Sequence, residues 1–416
     1  MTLTQDTTTT PAPPVRQVDR LYHDTQSSTE TTEIRIRARE FATKYVAPAA
    51  ARIAAGDEVD DGFPFDVFGS MANQKIFEIP FPTDVHGAGL ARPASATAAM
   101  VEELAYYSNS VAAIFDVHCI LAGNALNQGS PEQRSRWLTP LVRGEIIGAF
   151  ATSEPGASSD LSPQAVQTVA TKTATGWRLD GRKRWITNSP VADVIVILAR
   201  TGERLSLFIV PTTTPGVTVG RADRKLGNKG QLTADVILDG VELPEDAILG
   251  TEGGGLKIAL STLTYGRIGI AAAGVGMAQA AFDHMADRLS TREAFGRKLG
   301  SMQHWQFLMA DHALALESAR SLYIKAAIRL DEGNPFPEPE AAMAKLAGTE
   351  LSVTIARDAV QVFGGLGFTR ELGADGSPGP VEAIYRDSKI GEIYEGANEV
   401  QKWIIARQLL GRDITG

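Results

Sequence analysis

The chain reads as an α+β protein built from three consecutive segments: helical, then β, then helical. Three observations carry that reading. Apolar residues recur at helical spacing up to Glu145, short β-type runs split by turn residues occupy Ile146 to Leu249, and long helical patterns follow three glycines at 253–255. Residues 1–28 are rich in Thr, Pro and Ser with little periodic hydrophobicity, and read as a disordered tail. Residues 29–145 form an N-terminal helical domain. There Phe41, Tyr45 and Val46 begin one helix, Val101 to Leu104 lie in another, and Ile114 to Leu126 form a more buried one; the Pro- and Gly-bearing stretch Ile79 to Pro93 separates helices. Residues 146–252 form a middle β domain, with strands at Trp177–Leu179, Val194–Leu198, Leu205–Val210, Val217–Val219 and Val236–Leu238. Residues 253–416 form a C-terminal helical domain. Glu252–Gly255 is its hinge; one helix carries Leu314, Leu316, Ala319, Leu322 and Tyr323, and another carries Met343, Leu346, Leu351 and Ile355. No internal repeat is visible.

A length of 416 residues accommodates two or three domains, and 44% hydrophobic with 21% charged residues is ordinary for a globular protein. Apolar runs are interrupted by charges or glycine, so none is expected to cross a membrane. The N-terminus has no basic stretch followed by an apolar core, which disfavours a secretory signal. The single Cys119 excludes an internal disulfide and fits a reducing, cytoplasmic compartment. A net charge of −9 disfavours nucleic acid as a partner. His23, His86, His118, His284, His304 and His312 show no metal-ligand spacing, so no metal site is expected, and His118 beside Cys119 reads as packing. Gly87 to Arg92 resembles half a dinucleotide fingerprint but has no strand-turn-helix unit around it. No nucleophile elbow, P-loop or HExxH motif is present.

Chemistry concentrates in a few segments. In Tyr385–Gly396, Ile390, Ile393 and Tyr394 have helical spacing, and a second helical pattern resumes with Val400, Trp403, Ile404 and Leu410. Glu395 stands at the break, before Gly396, Ala397 and Asn398, which tolerate unusual backbone angles. On these residues alone it is either a carboxylate projected into a cavity or a surface glutamate at a helix end. Ala151–Asp160 (ATSEPGASSD) is a polar loop, either a plain domain boundary or a set of hydroxyls facing a ligand. Gly181–Asn188 reads as a β-turn followed by a strand, and Leu263–Ala271 as a helix opening with Arg267 near its start. Arg292–Arg297 with Gln303, and the glycine-bearing Gln361–Phe368, complete the set.

In this order the motifs resemble those of acyl-CoA dehydrogenases, over nearly everything after the tail. The short-chain branch looks closest, through Tyr265–Ala271 and Leu314–Arg320. That resemblance implies a C-terminal four-helix bundle, FAD as cofactor, an acyl-CoA thioester as substrate, an electron-transfer flavoprotein as acceptor and a homotetramer. It makes Glu395 the base that removes the α proton while the β hydride moves to flavin N5. The Glu395 N–H and a flavin ribityl hydroxyl would stabilise the developing enolate. Ala151, Thr152, Ser153 and Ser159 fall on the flavin-facing loop, with Ser158 in place of a common glycine. Trp185 would pack on the isoalloxazine, Thr187 would hydrogen-bond near its N5, and Ile186 between them would also bind the cofactor. Arg292 and Gln303 would bind pyrophosphate or adenine, and Gln361, Val362, Phe363, Gly364 and Gly365 would bind FAD across a subunit interface. Ala397, Asn398 and Glu399 complete the cofactor residues.

The implied substrate residues are Ser159, Thr264, Tyr265, Gly266, Arg267 and Gly396. Thr264 replaces an aspartate of close relatives, which leaves Arg267 without that neighbouring aspartate. Some relatives carry the base on this helix instead; the position here is Gly266, which has no side chain to act as one. Leu372–Pro380 looks longer than in short-chain relatives and reads as a loop. CoA and acyl carrier protein both remain open as thioester carriers. A flavin oxidase or monooxygenase on the same fold, and a non-catalytic interaction protein, are the competing readings.

Overall fold

The computed structural model describes residues 16, 26–59 and 62–415. The expected tail over 1–28 lies outside the described residues, except for Arg16 and residues 26–28. The first helix starts at Thr29, because the Ser28 hydroxyl accepts the Thr31 N–H at 3.1 Å and caps it. It runs to Phe41, passes through a π-helical segment (Ala42–Val46) and continues as Ala47–Ala55. Phe41 therefore lies inside this helix rather than at its beginning.

Helix Pro93–Tyr107 is almost wholly buried. Asn109–Phe115, the π-helical Asp116–Gly123 and Asn124–Asn127 follow it as one continuous run. This run and the helix Gly255–Thr291 are long and apolar enough to cross a membrane, contrary to expectation. Most of their apolar surface is packed inside the protein, so they are core helices here.

The middle domain is an eight-stranded sheet of β1 (Gly148–Ala151), β2 (Val169–Lys172), β3 (Gly176–Thr187), β4 (Val194–Thr201), β5 (Arg204–Pro211), β6 (Val217–Val219), β7 (Thr233–Pro244) and β8 (Ile248–Leu249). Its order is β6-β7-β3-β2-β4-β5-β8, with β1 parallel to β4. Alternation along β4 divides the core. Val194, Val196 and Leu198 join the main helical core, whereas Ile195, Ile197 and Ala199 face a separate core inside the β domain. Each of the Val, Ile and Leu side chains contributes about 1.5–3 kcal/mol when fully buried. Gly181 is not in a turn: β3 runs straight through it, with register irregularities at Leu179/Gly181 and Lys183/Ile186 against β7.

The C-terminal domain packs Gly255–Thr291 against Gln303–Asp331 and Glu340–Phe363, with Asn398–Leu410 alongside. Because the first of these starts at Gly255, Arg267 sits in the helix interior rather than near its start. A buried network ties the two helical domains together. Glu102 accepts from Arg35 (2.7 Å) and Arg320 (3.0 Å) and pairs with Tyr323, and those cations hold its carboxyl well below the usual range against the opposing effect of burial.

Candidate active site

A 3-10 turn (Lys389–Glu392) ends just before Glu395, and the next helix begins only at Asn398. Glu395 and Gly396 bridge the gap with φ of +53° and +94°. A left-handed glutamate costs about 1–3 kcal/mol and persists only where its surroundings hold it. Here Lys345 donates to the Gly396 carbonyl (2.9 Å) and to Asn398 Oδ1 (2.8 Å), and Gln401 donates to the same carbonyl (2.8 Å). Lys345 is fully buried, and burial draws its pKa down to about 8. Among the described residues no acceptor takes the Glu395 N–H.

The Glu395 carboxyl points at the long helix Gly255–Thr291. A Cβ on Gly266 would lie 1.9 Å from Glu395 Oε2, so only glycine leaves room for the carboxyl. Position 266 and the tip of Glu395 thus address the same point in space. Oε2 is buried, and no donor reaches it among the described residues. Burial raises the Glu395 pKa to about 7, opposed by a hydrogen bond with Asp116 and by the charges of Lys345 and Arg267.

Asp116 is 1% exposed and opens the π-helical segment Asp116–Gly123. Its Oδ1 would lie 2.2 Å from a Cβ on Gly269, one turn along from Gly266. Among the described residues no donor reaches either of its oxygens. Burial, and then the neighbouring Glu395, push its pKa well up.

Arg267 lies beside the same turn, its Nε 3.5 Å from the Glu395 carbonyl. It does have an acidic partner: Glu338, from the loop before Glu340–Phe363, pairs with it at 2.7 Å. Thr264 is 2% exposed and donates its hydroxyl to Leu260 O (2.9 Å), so the substitution places a self-satisfied helix residue there. Tyr265 is buried beside it.

On the β domain, Trp185 sits on the irregularity of β3 with φ +57° and is 57% exposed. Ile186 turns its side chain into the sheet's core, so it can offer a ligand only its backbone. Ser153 is tied to this strand by Arg184 N–H to Ser153 O (3.0 Å). The same loop is anchored from below: Glu154 accepts from the N–H groups of Gln167 (2.7 Å) and Thr168 (3.0 Å) and from Lys183 (2.8 Å). Lys183 and Glu154 are fully buried at this ion pair. Ala151 and Thr152 are buried at its foot, whereas Ser159 is exposed.

Thr187 receives a hydrogen bond from Gln231 (2.6 Å), which leaves its own hydroxyl proton free to donate elsewhere. Gln231 accepts from Asn228, whose N–H donates to Asp387 (2.7 Å) on the segment leading to Glu395. One chain of hydrogen bonds therefore links Thr187 to the segment bearing the base.

The remaining residues gather at one end of the helical bundle. Glu293–Ala294 and Arg297–Lys298 pair as a hairpin with Phe295 (94% exposed) and Gly296 at its tip. Arg292, Gln303 and Gln361 are exposed around it, and Arg288 stacks on Phe363 at 5.4 Å. Gly364 takes φ +64°, and both Gly364 and Gly365 face open space. Val362 is buried in the core. Among the described residues no hydrogen bond joins this end to Trp185, Thr187 or Glu395. Ala397 and Asn398 belong to the base turn, and Glu399 is exposed beyond it. The segment 372–380 folds as an exposed hairpin-like loop closed by Leu372 N–H to Ser377 O (2.8 Å) and Gly379 N–H to Arg370 O (2.7 Å).

Sequence reasoning missed Asp116, Glu338, Lys345, Gln231 and the Lys183–Glu154 pair. Asp116 did carry a signal, a lone carboxylate in the apolar run Ile114–Leu126. Lys345 carried a similar one. Glu338 and Gln231 carried none. His118 is packing, as expected: it accepts from Gly148 N–H and contacts Leu141 O at 3.0 Å, and burial lowers its pKa to about 4. Among the described residues no cluster of metal ligands occurs.

Three family models match in order: the acyl-CoA dehydrogenase N-terminal domain (28–145), middle domain (149–241) and C-terminal domain (253–410). The chain is 40% identical over 402 residues to the human short-chain specific acyl-CoA dehydrogenase, mitochondrial, covering 95% of this chain and 93% of that one. The structure resembles butyryl-CoA dehydrogenase from Megasphaera elsdenii (TM-score 0.85, 32% identity, 93% of this chain and 100% of that one). It also resembles a glutaryl-CoA dehydrogenase from Mycobacterium smegmatis in complex with FADH2 (TM-score 0.86, 25% identity, 95% and 98%).

Proposed function

The chain belongs to the acyl-CoA dehydrogenase family, and we propose that Glu395 is the base with which it removes the α proton of a short-chain acyl-CoA. The enzyme is an FAD-dependent dehydrogenase of acyl-CoA thioesters. The observation that carries the assignment of the base is the Glu395 turn: a left-handed, pinned carboxylate, donor-free at Oε2, with its pKa raised to about 7. A carboxylate of that basicity is about half ionised at neutral pH and accepts a proton far more readily than an exposed one. Its own N–H, uncommitted within the described residues, is available to the thioester carbonyl as charge develops there.

The residues present fit FAD. Trp185 offers an exposed ring on a fixed bulge, Thr187 a hydroxyl whose proton is free, and Ser153 a polar group on the adjoining loop. Arg292, Gln303, Gln361, Gly364 and Gly365 form an open, exposed surface suited to the dinucleotide's polar end. FAD, when bound, supplies the acceptor for the β hydride. The Lys183–Glu154 pair keeps the loop of Ser153 in place, and the Gln231 chain fixes the Thr187 hydroxyl.

The exposure of Arg292, Gln303, Gln361, Gly364 and Gly365 at the bundle end favours an assembly in which another subunit completes the cofactor site, a homotetramer. Exposed Phe295, Phe307 and Phe368 give that end apolar surface for such a contact. We assign an electron-transfer flavoprotein as acceptor, fatty-acid metabolism as setting and the cytoplasm as compartment, the last on the single buried Cys119. The test is anaerobic mixing of the purified yellow protein with acyl-CoAs of graded chain length. Flavin bleaching greatest with short chains supports the reading; no bleaching by any member refutes it.

A further inference from the structure

The base is not a solitary carboxylate. Asp116 and Glu395 rest on Gly269 and Gly266, which are neighbours on one face of the helix Gly255–Thr291. Both Asp116 oxygens and Glu395 Oε2 are buried, and among the described residues no backbone or side-chain donor outside the pair reaches them. Two ionised carboxylates so placed would repel, and among the described residues the hydrogen placed to satisfy these oxygens is one that the pair itself carries.

We propose that Asp116 is a positioning residue that stays protonated and donates its hydrogen bond to ionised Glu395, so that the pair enters the reaction holding one proton. This rests on Glu395 being the base. In the reaction the substrate Cα–H bond breaks and its proton goes to Glu395. The electron pair stays on the substrate until the β hydride leaves for the cofactor. The pair then holds two protons, and Asp116 keeps its own throughout.

The charged and titratable groups around the pair are consistent with this distribution. Arg267 and Lys345 lie on the Glu395 side and favour its anion. Arg267 is itself neutralised by Glu338. On the Asp116 side stand Cys119, on its own helix, and Tyr265 and Tyr394, all three pushed upward by burial and so neutral. No cation beside Asp116 is available to hold it ionised among these groups. Asp387 lies farther along, near Tyr394, with its N–H donor from Asn228.

The test is the pH profile of α-hydrogen exchange into D2O, followed by mass spectrometry under anaerobic conditions, alongside the rate of flavin reduction. Exchange needs the base but not hydride transfer. Asp116→Asn replaces one donor with another, so its acid limb should stay within about half a pH unit of wild type. Asp116→Leu removes the donor, and its limb should move up by about one unit, with about tenfold slower exchange below the limb and recovery at high pH. A limb that falls by about a unit or more in Asp116→Asn overturns the proposal, since it would mean that an ionised Asp116 had been opposing Glu395. So would an unmoved limb in folded Asp116→Leu. The Asn variant alone decides the matter if the Leu variant fails to fold. Glu395→Gln is the control: exchange at the wild-type rate there would sink the assignment of the base itself, not the pairing.

Discussion

Gly266→Ala tests most directly how the base is accommodated. The new Cβ would stand 1.9 Å from Glu395 Oε2, 2.8 Å from its Cδ and 2.9 Å from Leu121 Cδ2, where real Cβ contacts essentially never fall below 3.0 Å. Leu121 need give only a few tenths of an ångström, but the carboxylate must retreat by about 1 Å. A misplacement of about 1 Å in a reacting group costs about a hundredfold in rate, or about 2.7 kcal/mol of barrier. Stability should move the other way or hardly at all. Alanine is about 1 kcal/mol better than glycine inside a helix, which offsets the cost of swinging one side chain aside. The expected signature is a protein with full FAD content and an unchanged or raised Tm, whose anaerobic flavin reduction is about a hundredfold slower. Stopped-flow absorbance gives the rate, and thermal melting gives the stability. Reduction within about threefold of wild type would refute the claim that Glu395 must occupy this space to act.

The other expectations are these. Glu395→Gln should keep FAD but lose about 10²–10⁴-fold of flavin reduction, because an amide has no useful basicity. Wild-type flavin reduction should rise with pH through about 7, where Glu395 becomes ionised. The same shift bears on stability. The folded pKa lies above the unfolded value of 4.5, so the folded state binds the extra proton and Glu395 costs stability increasingly from pH 4.5 to about 7. Glu395→Gln should therefore melt higher than wild type at about pH 8 and lose that advantage near pH 4.5; equal differences at both pH values would contradict the shift. Lys183→Met leaves Glu154 buried without its cation and should destabilise the fold by about 3–5 kcal/mol, measured by urea unfolding of the holoprotein. Gln231→Leu removes the donor that orients Thr187 and should weaken FAD binding about five- to tenfold in fluorescence titration of apoprotein; an unchanged Kd would make Gln231 irrelevant to the cofactor.

Much of this protein was readable before any coordinates. The helical, β, helical order follows from hydrophobic period alone, since a helix and a strand bury different residue spacings. The break at Gly396 is local chemistry too: the apolar pattern stops, and residues tolerant of unusual angles intervene. Placing Gly181 in a turn failed because a glycine in a strand looks the same as a glycine between strands. Starting the first helix at Phe41 failed because a modest N-cap, Ser28, outranked the first large apolar residue.

What the sequence by itself determined, then, is the helical, β, helical order and the place of a carboxylate at the break. Its resemblance to a family added the chemistry. Only the tertiary structure decided what surrounds that carboxylate. Asp116, Gly266, the neighbouring Glu338 and Lys345, and Glu395 come from widely separated parts of the chain, and no local period records which of their side chains meet. They meet because two glycines let a helix approach closely enough to seat two carboxyls, and because burial there removes the water that would otherwise have satisfied them. The raised basicity of Glu395 is a property of that packing, not of the glutamate or its neighbours in sequence.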